Sequence, residues 1–210
     1  MKQHLLVFLL TVFVVATVFA GEQEVFLDNS VYDTAKIPMV VHTGSGPYQS
    51  YLVQNVPYAP VLAVNKKIAS IIGRKLKTRG EAHITVITPP EYDRALKGIV
   101  SIERIHQLAE QWTVQEMTFD VICVGSGKAE LEGKMEETFF LVVRSEDLFN
   151  LRKEIEKMYL ERGGKPGGFV AEKYYPHITI GYTKSDLHIH QGVVKNETSK
   201  DERFKLRVGL

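Results

Sequence analysis

From Gly21 onward the apolar positions follow two alternating rhythms. In APVLAVNKKIASIIGRKLKT, Val64, Ile68, Ile71 and Ile72 recur at helical spacing and form one apolar face. Leu148, Leu151, Ile155 and Met158 repeat that rhythm behind a capping Ser145, and Gly163 ends the segment. Ile102–Trp112 predicts a third helix, and a short one starts at Pro90. Between them lie β-branched and aromatic runs. Tyr48–Val56, Glu81–Thr88, Met117–Val124 and Glu137–Arg144 each predict a strand. The Pro-Pro pair after Thr88 stops the second of these, because proline cannot donate to a sheet ladder. After the glycine-rich loop GGKPGG, YYPHITIGYT predicts another strand, and FKLRV a closing one beyond a polar segment around Lys195–Arg203. GSGK at Gly125–Lys128 reads as a hairpin turn.

That order contains a weak internal repeat. Each half runs amphipathic helix, polar connection, then a strand that begins His-Ile-Thr: HITV at His83–Val86 and HITI at His177–Ile180. No Pro-, Gly- or Ser-rich linker separates the halves, so residues 21–210 are expected to form one domain made of two lobes. Strand alternation puts His83 and Thr85 on one face and Ile84 and Val86 on the other, and it sorts His177, Thr179, Ile178 and Ile180 likewise. If the lobes face each other, two imidazoles and two hydroxyls meet in one cleft. Imidazole titrates near neutrality, so one ring can act as base while the other, protonated, acts as acid. The threonine hydroxyls can donate to the nonbridging oxygens of a phosphate. This set suits phosphodiester chemistry without a metal or another cofactor. Two such four-residue matches are hard to ascribe to chance, for which composition predicts about 0.005.

Composition narrows the substrate. The chain is 44% hydrophobic and 10% aromatic, as a globular domain is. Its net charge is +1, and Lys2 is the only charge before Gly21, so the remainder is balanced. A protein that tracks long duplex nucleic acid draws on a basic excess that is missing here, whereas a small phosphorylated substrate is compatible with neutrality. Lys2 followed by the uncharged run Leu5–Ala20, with Val18–Ala20 ahead of Gly21, predicts a signal peptide over residues 1–20 and a secreted or otherwise exported protein. An uncleaved membrane anchor is the alternative; after cleavage no stable membrane span is expected. The lone Cys123 lies in an apolar run and excludes an internal disulfide. Tyr175 and Tyr182 flank the second motif and are candidate stacking contacts for a base. Lys165 and Lys173, on or near the glycine-rich loop, could reach a phosphate. HIH at His188–His190 sets two imidazoles on one strand face, but no companion carboxylate or thiol marks a metal site. His106 reads as partly exposed on its helix, and His42 as a loop residue.

The strings EAHITVITPPEY and YYPHITIGYT resemble the paired signature motifs of the 2H phosphoesterase superfamily, nearest to its Swiss Army Knife RNA repair-like subgroup. The likeness is sharp over Glu81–Tyr92 and Tyr174–Thr183 and extends, in element order, from Ala63 to Tyr182. It implies a bilobal α+β fold, with two antiparallel sheets facing a central cleft and helices outside. It carries over His83 and His177 as catalytic residues and Thr85 and Thr179 as phosphate-binding ones, with no cofactor. The implied substrate is a small 2′,3′-cyclic phosphate, on a nucleotide or an RNA end, opened to a 2′-phosphate by a monomeric enzyme. Export would set this chain apart from the intracellular RNA-processing members. The competing reading is a catalytically weak module that binds a nucleotide or RNA end in the same cleft. Which histidine is the base stays open at this level.

Overall fold

Short-range chemistry sets most element boundaries in the computed structural model, which describes residues 21–209. Strand β1 (Gln23–Asp28) leads through irregular chain to β2 (Leu52–Asn55) and helix α1 (Tyr58–Ile72). Gly73 ends α1 in the left-handed region (φ 66°), where a side chain would be strained. Strand β3 (His83–Ile87) runs directly into α2 (Pro89–Glu91), because Thr88 and Glu91 form a reciprocal capping box there. A π-helical turn (Tyr92–Leu96) then precedes α3 (Ile102–Gln111). Strands β4 (Asp120–Leu131) and β5 (Lys134–Arg144) form a long hairpin, followed by α4 (Glu146–Glu161), whose first turn is capped by the Ser145 hydroxyl. β6 (His177–Tyr182) and β7 (Phe204–Gly209) complete the chain.

The predicted helices and the two His-Ile-Thr strands form where their periodicity places them, but the sheet arrangement differs from the expectation. The two motif strands do not belong to separate facing sheets. They are hydrogen-bonded neighbours in one five-stranded antiparallel sheet of order β2-β3-β6-β5-β4. The reason is a shared core. Ile84, Val86, Ile178 and Ile180 are all essentially buried on one face, together with Phe139 and Leu141 of β5, and they join one cluster with Val64 and Ile68 of α1 and Leu151 and Ile155 of α4. Pairing β3 with β6, through Ile84 and Ile178, joins the two strands while that common apolar face is covered. Among the described residues a second, parallel sheet consists of β1 and β7. FKLRV was legible as a strand; its partner QEVFLD was not.

Three local readings are corrected. GSGK lies inside β4, and the hairpin turn is at Glu132–Gly133, both with positive φ (52° and 73°), as a two-residue turn requires. Gly125 is needed within the strand because a Cβ there would meet the Phe140 ring at 2.4 Å. His106 is not partly exposed; it is buried, and its Nε2–H donates to the Tyr51 carbonyl (3.1 Å). Lys195 likewise leaves the polar tail for a buried position, described below. The signal-peptide reading falls on residues 1–20, outside the described residues. Among those described, no helix is long and apolar enough to cross a membrane.

One buried cation locks the motif strands in place. Arg152 of α4 is fully buried. Its guanidinium donates to the carbonyls of Val86 (2.6 Å), Ala171 (3.1 Å) and Val170 (3.2 Å) and to the Glu91 carboxylate (2.8 Å). The Phe169 and Tyr174 rings face it at 4.8 and 4.6 Å. The end of β3 and the approach to β6 are thereby tied to the same side chain.

Candidate active site

The β3–β6 register builds the centre. Ile84 pairs with Ile178. In an antiparallel ladder the next pairs on either side are then His83 with Thr179 and Thr85 with His177, all four side chains on the face opposite the core. The two imidazoles are diagonal neighbours, about 7–8 Å apart at the backbone. All four residues are half-buried. A small cleft beside them is lined by Thr78, Arg79, Glu81, Ala82, His83 and Thr179.

The two histidines differ in their surroundings. His177 Nδ1–H donates to the Tyr175 carbonyl (2.8 Å), which fixes the tautomer and leaves the Nε2 lone pair for the site. Burial, then the neighbouring Lys195 charge, hold His177 far below its ordinary range and therefore neutral. His83 Nδ1 lies 3.4 Å from the Glu81 carboxylate. Burial lowers its pKa too, but Glu81 pulls the other way and favours the charged ring.

The segment after β6 folds back across the same face, over a small apolar cluster of Cys123, Phe140, Val142, Leu187 and Val193, and delivers Asp186, His188 and Lys195. Asp186 Oδ1 accepts from Lys195 Nζ (2.7 Å) and from the Thr138 hydroxyl (2.9 Å). Its Oδ2 faces the Thr179 hydroxyl (3.4 Å), the Arg79 guanidinium (3.5 Å) and the His188 ring (4.0 Å). Burial alone would raise the Asp186 pKa; the Lys195 charge and hydrogen bond outweigh it and bring the group down to about 2. The single proton of the Thr179 hydroxyl is thus directed at Asp186.

The remaining candidates are scattered. Tyr175 is exposed and lines a different cleft, about 230 Å³, together with Phe149, Tyr174 and Lys195. Tyr182 stands opposite Thr138, because a register shift between the Phe139 and Phe140 pairings turns it onto the site face. Lys165 and Lys173 line neither cleft. His188 and His190 are not on a strand: residues Ile189–Gln191 form a 3₁₀ turn, the rings stack 6.0 Å apart, and His188 alone meets Asp186. Arg79, Glu81, Asp186, His188 and Lys195 were not picked out as members of this site from sequence. Glu81 had a usable signal, since it continues the alternation of His83 and Thr85 by one step upstream.

Buried neutral imidazoles make stability depend on pH. His83, His106 and His177 all have folded pKa values below the ordinary 6.5, chiefly through burial. Below 6.5 the unfolded chain takes up protons that the folded protein refuses, so stability falls as pH falls. Each ring that stays neutral costs about 1.4 kcal/mol per pH unit over that range. Thermal melts between pH 7 and 4.5 should show a progressive drop, and a flat profile would contradict neutral burial.

An antiparallel sheet that presents two imidazoles and two threonine hydroxyls on one face, over helices packed on the other, is the arrangement of a 2H phosphoesterase, a hydrolase of phosphate esters. The family model that matches is the Swiss Army Knife, 2H phosphoesterase domain, over residues 50–188, and the chain belongs to that family. The matched span contains both motifs, Arg79, Asp186 and His188, and stops short of Lys195. No curated protein and no solved structure matches the chain.

Proposed function

We propose that this protein hydrolyses a small 2′,3′-cyclic phosphate, on a nucleotide or an RNA end, by metal-independent acid–base catalysis shared between His83 and His177. The observation that carries the reading is the register: Ile84 pairs with Ile178, and strand alternation from that pair sets both histidines and both threonines on the face opposite the core. His177 is the base. Its Nδ1–H is engaged by the Tyr175 carbonyl, and burial together with Lys195 disfavours its charged form, so Nε2 is ready to accept a proton. His83, beside Glu81, is the acid.

Water bound next to His177 Nε2 loses a proton to it as its oxygen attacks phosphorus. The bond from phosphorus to the ribose 3′ oxygen breaks, and His83 gives its proton to that oxygen. The product is a 2′-phosphate, and protons exchanged with solvent reset both rings. Thr85 donates to a nonbridging oxygen. Thr179 joins it once its hydroxyl proton turns from Asp186 toward the substrate.

The purified protein should therefore open 2′,3′-cyclic nucleotides to 2′-phosphates, identified by phosphorus NMR, and a chelator should leave the rate unchanged. In the free enzyme both imidazoles titrate below 6.5, so kcat/KM should follow a bell whose maximum lies on the acidic side of that value. The alkaline limb reports loss of the acid's proton, and both limbs belong to the coupled pair. Binding of cyclic nucleotide without turnover would replace this reading with that of a binding module. Activity lost to chelator and restored by a divalent ion would move it to metal-assisted hydrolysis.

A further inference from the structure

Asp186 is held in two different ways by its two oxygens, and the difference points to a binding residue. Oδ1 has close, permanent partners: Lys195 at 2.7 Å, itself only 4% exposed, and Thr138 at 2.9 Å, fully buried. Oδ2 has loose ones: Thr179 at 3.4 Å, Arg79 at 3.5 Å and His188 at 4.0 Å. A committed guanidinium–carboxylate pair closes to about 2.7–2.9 Å and is often bidentate, and the Arg79 contact is neither. The Arg79 side chain is 46% exposed. Among the described residues it is the one lysine or arginine lining the small cleft that also contains His83 and Thr179. It sits on the irregular stretch between α1 and β3, next to Gly80, which adopts positive φ (79°) and has open space around it.

We propose that Arg79 is the phosphate clamp of this site, and that Asp186 is its counter-ion only while the site is empty. On binding, the guanidinium exchanges Oδ2 of Asp186 for the nonbridging oxygens of the substrate phosphate, with His188 following at the rim. The exchange strands no charge. Lys195 and Thr138 keep Asp186 compensated after Arg79 leaves, and the incoming phosphate carries the negative charge that Arg79 then meets. A planar fork with paired donors suits two phosphate oxygens better than an ammonium does. Arg79 so placed takes no proton and gives none. It contributes to holding the phosphate between the histidines, and Asp186 sets the direction from which it comes.

The inference rests on the phosphodiesterase reading for its substrate but not for its test, which uses inorganic phosphate and no turnover. Calorimetric titration of the wild-type full chain with phosphate should show saturable binding. In Arg79→Gln the affinity should fall about 10- to 100-fold, the value of a hydrogen-bonded charge contact, with Arg79→Lys in between. Arg162→Gln, an arginine at the end of α4 and outside both clefts, should bind as wild type. With cyclic nucleotide, Arg79→Gln should raise KM more than it lowers kcat, and added guanidinium should recover part of the loss. Wild-type and Arg79→Gln proteins with equal phosphate affinity would overturn the clamp, as would absence of any wild-type phosphate binding. Phosphate binding that depends on Arg79, in a protein that hydrolyses no diester, would support the clamp and sink the proposed reaction instead.

Discussion

His83→Ala and His177→Ala should each lower kcat/KM for a 2′,3′-cyclic nucleotide by about 10²–10⁴-fold, the usual worth of a positioned acid or base. The double variant should lose far less than the product of the two, since both rings act in one transition state. The two losses should also differ in their pH dependence. In either variant the bell of the coupled pair should collapse to one limb, the alkaline one where only His83 remains and the acidic one where only His177 remains. Thr85→Val should cost less than either, because it removes one neutral phosphate contact and leaves proton transfer intact. Melting temperatures must stay near wild type for these losses to report chemistry. The half-buried rings stand on the sheet face opposite the main core and outside its cluster, so truncation should leave the fold standing. A folded His83→Ala protein with undiminished turnover would end the two-histidine mechanism.

How much of this was legible beforehand follows from the range of the forces involved. Periodicity is local, and the helices Tyr58–Ile72, Ile102–Gln111 and Glu146–Glu161 are legible in it, as are the faces of HITV and HITI. Strand pairing is not local. Nothing in either motif says whether its neighbour is a hairpin partner or the other motif, so the expectation of separate sheets failed at that step. The same limit hid β1, whose partner lies at the opposite end of the chain. Long-range electrostatics was the least visible. Lys195 sits in a stretch whose composition resembles a solvated tail, and only the folding of that segment across the sheet, with Asp186 as partner, makes it a buried cation. Arg79 and Asp186 are separated by more than half the matched span, and neither has a sequence neighbour that announces the other.

That electrostatic centre carries the second large expectation. Asp186→Asn should destabilise the protein by about 3–5 kcal/mol, the usual consequence of removing one partner from a buried ion pair. Asparagine keeps the shape and the hydrogen bond from Thr138, so the loss isolates the charge. The Lys195 ammonium would be left buried at 4% exposure without a counter-charge. Burial already pulls the Lys195 pKa below its ordinary value and Asp186 opposes that pull, so removing Asp186 lowers it further. The sign of the pH response follows. Between the lowered folded value and the ordinary 10.5 the unfolded chain binds more protons than the folded variant, so Asp186→Asn should regain stability as pH rises. Lys195→Met should cost less, because the Asp186 carboxylate keeps Thr138, Thr179 and Arg79 around it. The double variant Asp186→Asn/Lys195→Met removes both charges and should recover most of the stability, as apolar replacement of buried ion pairs often does. Its activity should not recover with it. Thr179, Arg79 and His188 lose the carboxylate that gathers them, and His177 loses the cation that helps keep it neutral. Urea denaturation and turnover measured on all three variants separate the two roles. An Asp186→Asn protein within about 0.5 kcal/mol of wild type would show that Lys195 does not depend on this carboxylate. A double variant that recovered full turnover along with its stability would show that the cluster holds the fold and leaves the chemistry to the two motifs.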